Sequence, residues 1–478
     1  MNTVKPMKEQ TKKQRNQTPI DLLNGGINRL MLRFSIPCVL SLLISSFYNI
    51  VDQMFIGNSE LSTLGNAATG VVFPVFIIAQ AFAWCFGDGC AAYLNIFQGR
   101  RDDRGVSKAI GGSISIGVLA SLLMMAVIYP IKIPMLTLFG ATENTIAYAV
   151  EYLDIILLMM PMYVLCNTLN SVIRADGSPM WAMISMLAGA VTNIILDPVF
   201  IFGLKMGMTG AALATVIGQG VAFVATVGYF IRPKTFKLSK RDFLPDFRYV
   251  KNVIGLGSST FITQIAIVLV AVLCNVQFAK FGGMSEYGAD IPIAIIGIQS
   301  KVFTVVINLV VGVALGCQPI VSYNVGAERP DRVMEIYKKI MIWTVSVGVV
   351  FTLLFELAPD WVIGLFGMPS NIPNPDAYWQ FGELTMRIFL SLICVSCVVK
   401  MNSIFFQAVG KPGFAVVSSS IRDVVCFLPL IFILPAFSPN VELLLWAAPL
   451  SDVIAGVVTA CLSAVYIHAL RHQLEKNT

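Results

Sequence analysis

Two aspartates sit where a carboxylate is costly to keep. Asp52 lies near the end of the apolar run 31–57 and Asp197 near the end of the run 180–203. A charged side chain at the centre of a membrane span costs on the order of 3 kcal/mol on insertion scales, and such residues mark functional sites. Asn193 precedes Asp197 by one helical turn and shares its face. Thr215, early in the run 209–231, and Tyr152, early in the run 148–172, fall at a similar depth. Five polar side chains from four runs therefore share one layer. Two carboxylates brought together in a low dielectric cannot both ionise freely, so the pair is suited to taking up a proton. The same oxygens, with the Asn amide and the Thr hydroxyl, also suit a small hard cation such as Na⁺. These residues leave both alternatives open. Asp154 follows Tyr152 by two positions, points to the other side of a helix, and is expected to be wetted near the headgroups.

The elements that carry these residues follow from composition. Of 478 residues, 56% are hydrophobic and 13% charged, against about a quarter charged in a soluble domain. Such a chain cannot cover itself with polar groups in water. Apolar runs fall at 31–57, 68–92, 106–129, 148–172, 180–203, 209–231, 251–281, 292–322, 336–357, 382–408, 413–435 and 442–468, which predicts twelve transmembrane helices. Basic residues crowd alternate loops (Arg100, Arg101, Arg104, Lys108; Arg174; Arg232 to Arg248; Arg329, Arg332, Lys338, Lys339; Lys411). The other loops carry Glu60, Glu143, Glu286, Asp290, Asp360, Asp376 and Glu442. The positive-inside rule then places both termini in the cytoplasm. The net charge of +6 is a topology signal, and no nucleic-acid partner is expected. Residues 1–30 are polar and basic, without the apolar core of a signal peptide. The ten cysteines lie mostly inside apolar runs, where a thiol behaves as a small hydrophobe. Neither the Cys394-x-x-Cys397 pair nor the two histidines, His468 and His472 at the C-terminus, suggest a redox or zinc site.

The chain repeats itself. Gly89-Cys90 and Gly99 match Gly316-Cys317 and Gly326 at one offset of 227 (316 − 89 and 326 − 99), and Ala175-x-Gly-x-Pro179 matches Ala408-x-Gly-x-Pro412 at 233 (408 − 175). Two six-helix lobes in the same orientation follow, related by an axis along the membrane normal. The expected organisation is a cytoplasmic segment 1–30, an N-lobe 31–231, a basic linker 232–250, a C-lobe 251–468 and a tail 469–478. At the 233 offset Asn193 and Asp197 map to Cys426 and Leu430, so the acid pair belongs to the N-lobe alone. In the C-lobe, Arg422 and Asp423 are expected near the cytoplasmic end, and Lys301 and Lys400 to balance Glu383 or Asp290. Asp88 is expected to be wetted at the cytoplasmic surface. Pro37, in the run that carries Asp52, either permits a bend or marks the span entrance.

The residues SIP…NIVDQMFIG in the first run, with RADGSP, TNIILDPVFIFG, GAALATVIGQG and GCQPIVSYNVGAER further on, resemble the multidrug and toxic compound extrusion (MATE) transporters, and their DinF-like branch in particular. The resemblance runs from about residue 20 to 470. It implies the V-shaped MATE fold, an all-α integral membrane protein of twelve helices in two pseudo-symmetric lobes. It also implies an ion-coupling site of Asp52, Tyr152, Asn193, Asp197 and Thr215, with Ala211 at a position that offers a backbone carbonyl. Pro37 matches the helix-bend position and Asn170 a polar pocket residue nearer the cytoplasm. A Gln found in some relatives two turns before the first-span Asp is Ser45 here, so of the two substrate-lining candidates Asn170 follows the pattern and Ser45 departs from it.

The expected function is efflux of bulky amphipathic or cationic compounds by antiport with H⁺ or Na⁺ across a bacterial inner membrane. No cofactor beyond the coupling ion, no enzymatic activity and a monomeric protein in contact with membrane lipid are expected. The rival reading is a lipid-linked oligosaccharide flippase of the same superfamily. Such proteins often carry cavity arginines and extra spans, whereas acids lead here. A receptor or channel would not require a two-fold repeat with a titratable pair in one lobe.

Overall fold

The computed structural model describes residues 22–59, 62–366 and 374–477. The expectations for the basic N-terminal residues and for Glu60 lie outside that range. Every regular element among the described residues is helical. In chain order the helices are α1 Ile27–Gly57, α2 Ser62–Gly99, α3 Asp103–Leu138, α4 Ile146–Ala175, α5 Pro179–Gly203, α6 Gly207–Tyr229, α7 Phe247–Gly282, α8 Asp290–Gly326, α9 Pro330–Leu357, α10a Pro375–Phe389, α10b Ile393–Ala408, α11 Pro412–Phe437 and α12 Val441–Glu475. Among the described residues, eleven helices are long and apolar enough to span a bilayer, and twelve if the bent pair α10a–α10b counts as one.

That pair differs from the single run expected at 382–408. The axis turns by 48° between Phe389 and Ile393, where the Ser391 hydroxyl donates to the Ile388 carbonyl at 2.8 Å, a local bond that competes with the helix ladder. Helices also outrun the apolar runs. α1 starts at Ile27 and the last helix reaches Glu475, because backbone hydrogen bonding continues into polar flanks. Pro37 is thus buried about three turns inside α1.

Helices α1–α6 and α7–α12 form two bundles that touch chiefly through α1, α2, α7 and α8. In lipid no hydrophobic force draws helices together, so close packing relies on small residues. The two A-x-G-x-P motifs have the same local structure. Gly177 and Gly410 take φ of 76° and 74°, the left-handed value that stops a helix, and Pro179 and Pro412 open the next one.

The repeat also builds the contact between lobes. A Cβ on Gly99 would strike the carbonyl of Tyr323, and a Cβ on Gly326 would strike the carbonyl of Ile96. Those contacts interchange under the 227 offset (323 − 96 and 326 − 99). α2 and α8 therefore meet backbone to backbone on the pseudo-two-fold axis, at the end of the molecule where the α6–α7 linker lies. Gly89 against Val253 and Gly316 against Ser35 repeat the pattern one layer in. Polar contact between lobes reaches Asn308, whose amide donates to the Ser46 hydroxyl at 2.9 Å, and Gln264 to Gln80 at 3.2 Å. Beyond these, residues such as Phe47, Ile50, Phe73 and Val276 are exposed. The lobes close at the linker end and splay apart at the far end, which gives a V.

Gly326→Leu should break this closure. Overpacking of this kind costs about 1–3 kcal/mol, so amide exchange around 96–104 and 320–330 should quicken by roughly 5- to 150-fold in hydrogen-exchange mass spectrometry. Wild-type exchange in those peptides would show that the glycine contact does not hold the lobes together.

Candidate functional site

α5 and α6 approach unusually closely. A Cβ on Gly189 would lie 2.8 Å from the Gly218 carbonyl, and one on Gly218 would lie 2.8 Å from the Gly189 carbonyl. This contact brings the face of α5 that carries Asn193 and Asp197 onto the face of α6 that carries Ala211 and Thr215. The Asn193 amide donates to Asp197 Oδ1 at 3.2 Å and lies 3.5 Å from the Thr215 hydroxyl. Asp197, Asn193, Ala211, Thr215 and Tyr152 are buried, and Asp52 is half-buried. The Asp52 and Asp197 carboxyls are close enough to influence one another, and Tyr152 is a neighbour of Asp52 and Thr215. The structure thus gathers Asp52, Tyr152, Asn193, Asp197 and Thr215 from α1, α4, α5 and α6, with Ala211 one turn from Thr215. Immediately after Asp197, α5 widens into π-helical turns at Val199–Gly203. Pro198 lacks the amide that would continue the α ladder, and such widened turns recur at functional sites.

Two further members join the cluster. Tyr48 lies one turn before Asp52 and Gln219 one turn after Thr215, and the two side chains are neighbours. The i, i+4 relation to residues already singled out was the available signal. Three buried oxygens have no hydrogen-bond partner: Asp52 Oδ1, Asn193 Oδ1 and Asp197 Oδ2. Buried acceptors without donors are costly, and a proton or a small cation would relieve that cost.

The remaining candidates lie elsewhere. Both ends of the Asn170 amide are used inside the lobe, where Ser185 Oγ donates to its Oδ1 at 3.0 Å and its Nδ2 points to Thr226 Oγ1 at 3.4 Å. Ser45 is half-buried, and its carbonyl accepts from Asn49 at 2.7 Å. In α1 the Pro37 carbonyl accepts from the Ser41 hydroxyl at 2.7 Å.

Several charges differ from expectation. Asp88 is not wetted. It is buried, accepts from the Ser171 hydroxyl at 2.7 Å and pairs with Arg174 at 3.1 Å. Asp154 is not simply solvated near the headgroups but pairs with Lys132 at 2.5 Å. Lys400 balances neither Glu383 nor Asp290. It pairs with Asp423 at 2.5 Å, while Arg422 bridges Asp423 and Asp452 at 2.7 Å each. Glu383 instead pairs with Arg387, four residues on along α10a. All four members of the Lys400, Arg422, Asp423 and Asp452 quartet are buried, and α11 is π-helical there, over Ile421–Phe427. The Asp52–Asp197 pair differs in kind, since no cation faces it, whereas the other buried acids of the described spans each have one.

The basic linker is anchored rather than free. Asp176 accepts from the backbone amides of Lys234 and Thr235 at 2.7 and 2.9 Å, from the Tyr229 hydroxyl at 2.6 Å, and from the Thr235 hydroxyl. Burial pushes its carboxyl up, and these donors act in the opposite direction.

A two-lobe, V-shaped helical membrane protein with a polar cluster inside one lobe is the architecture of a known transporter class. The MatE family model matches residues 37–199 and 259–433, and the chain belongs to that family, which is one of transporters and not of enzymes. It is 25% identical over 459 residues to the multidrug export protein MepA of Staphylococcus aureus (strain MSSA476), covering 94% of this chain and 95% of the relative. It is 24% identical over 454 residues to MepA of Staphylococcus haemolyticus, with 94% and 95% covered. Among solved structures it resembles a MOP superfamily transporter from Pyrococcus furiosus described as having a binding pocket of reverse polarity (TM-score 0.87, 20% identity, 95% of this chain and 99% of that one). It also resembles an outward-facing MATE multidrug resistance transporter (TM-score 0.86, 20% identity, with the same coverage).

Proposed function

We propose that this chain is a multidrug efflux transporter that exchanges H⁺ or Na⁺ for amphipathic compounds, with the ion taken up by the N-lobe cluster. The observation that carries this reading is the Asp52–Asp197 pair: two neighbouring carboxyls unmatched by any cation among the described residues, each with one buried oxygen left without a donor, as is the Asn193 carbonyl beside them. Such a pair can hold one positive charge and release it, whereas the C-lobe quartet is already neutral and internally bonded. Loop charge puts the linker end in the cytoplasm, so the open V faces outward, the state that would load an ion from outside and release substrate. Ion uptake removes the repulsion between the carboxyls and alters packing between α1 and α5, weakening the substrate site. The drug and the ion influence one another by the same factor, about 5–150-fold for couplings of 1–3 kcal/mol. The MepA relatives, named as multidrug exporters, support small-molecule cargo.

Expression in an efflux-deficient bacterial host tests the reading. Cells carrying the chain should accumulate less ethidium than cells without it, and Asp197→Asn should restore accumulation to the control level. Equal accumulation with and without the wild-type chain would contradict it.

A further inference from the structure

Lys132, Arg174, Lys400 and Arg422 are each ion-paired. Lys301, in α8, is different. It is exposed and has no acid partner among the described residues. Its direction is fixed by its neighbours. Gly312 packs against Val39 of α1 and Asn308 bonds Ser46 of α1, so that face of α8 looks at the N-lobe. Lys301 lies two turns before Asn308 on the same stripe, past the point where the lobes part, and Thr304 between them is also exposed. The opposite face of α8, with Val306 and Val310, is buried in the C-lobe core. A lipid-facing stripe would be apolar, and this one carries an amine, a hydroxyl and an amide. Lys301 therefore stands on the wall of the open cleft, with no carboxylate paired to it among the described residues.

From this placement we propose that Lys301 is the counter-charge for an anionic group on the transported molecule, and that this one residue sets the preference for a free carboxylate over its ester. The Lys301 ammonium, with the second hydrogen of the Asn308 amide two turns along the same stripe, matches a carboxylate, which accepts several hydrogen bonds at once. The inference rests on the efflux reading and narrows its substrate.

Rhodamine 110 and its methyl ester, rhodamine 123, differ only in whether the carboxyl is free. Their binding to purified protein in nanodiscs of neutral lipid, read by fluorescence polarisation, tests the assignment. Lys301→Gln should weaken binding of the free acid by about tenfold, the scale of one charge-assisted hydrogen bond, and change the ester's binding by less than about twofold. Lys301→Arg should keep the preference. Failure of wild type to bind the free acid, or equal binding of the free acid by wild type and Lys301→Gln, would overturn the proposal. Gradient-driven efflux is measured separately, so its failure would sink the transport reading without being mistaken for failure here.

Discussion

Asp52→Asn and Asp197→Asn should each bring gradient-driven efflux down to the level of protein-free liposomes while the protein remains folded and binds drug. An Asn has the size of a protonated Asp but cannot gain or lose a charge, so each variant holds the pair near one state of the cycle. A ligand moves an equilibrium only by its differential affinity for the two states. Once the ion has no differential affinity, the gradient supplies no direction. The sharper readout is linkage. Drug affinity of wild type should change by roughly 5–150-fold between ion-loaded and ion-free conditions, and in either variant this dependence should vanish. Folding should survive, because each substitution removes a repulsive charge and leaves the Gly189–Gly218 contact of α5 with α6 intact. A variant that unfolds instead would show the pair to be structural.

The second large effect concerns stability. Arg422→Met should lower the thermal midpoint of the solubilised protein further than any other single change discussed. Arg422 bonds Asp423 and Asp452 at 2.7 Å and lies over the Phe303 ring at 5.0 Å. Its removal leaves two buried carboxylates with one lysine, and breaking a buried pair in this way costs about 3–5 kcal/mol. Adding Asp452→Asn should recover much of the loss. The Lys400–Asp423 pair at 2.5 Å then stands alone, and the Asn still accepts from the Ser396 hydroxyl, which bonds Asp452 at 2.6 Å in the native protein. Non-additivity in that double-mutant cycle is the measurement. If the double variant is as unstable as the sum of the singles, the quartet does not act as a unit.

How much of this was legible in the sequence depends on whether the information is local. Span positions and the acid layer could be read, because an apolar run declares a helix and depth follows from where the run begins. The repeat could be read too, and its glycines proved to mark the line where α2 crosses α8, since a missing Cβ is the condition for two backbones to touch. Choosing the partner of a charge was harder. Asp88 and Arg174 meet across α2 and α4, and Lys400 meets Asp423 and not Glu383, because helix rotation and lobe packing decide which faces meet. Asp452 completes the quartet, but its run does not show which cation it will meet. Tyr48 and Gln219 are hard to single out because neither is charged, and an uncharged polar residue in a span carries a weak penalty and so a weak signal. The break in α10 was also hidden, since it contains neither Pro nor Gly and arises from Ser391 bonding back to its own chain.

The central claim is that an ion gradient acting on the Asp52–Asp197 pair drives export. Its most direct test is purified protein in liposomes, with a proton gradient and a sodium gradient imposed separately while ethidium movement is followed, for wild type, Asp52→Asn and Asp197→Asn. The account predicts that at least one gradient drives ethidium against its own gradient in wild type and that neither does in the variants. Ethidium flux that ignores both gradients in wild type, or variants that transport as wild type does, would contradict it.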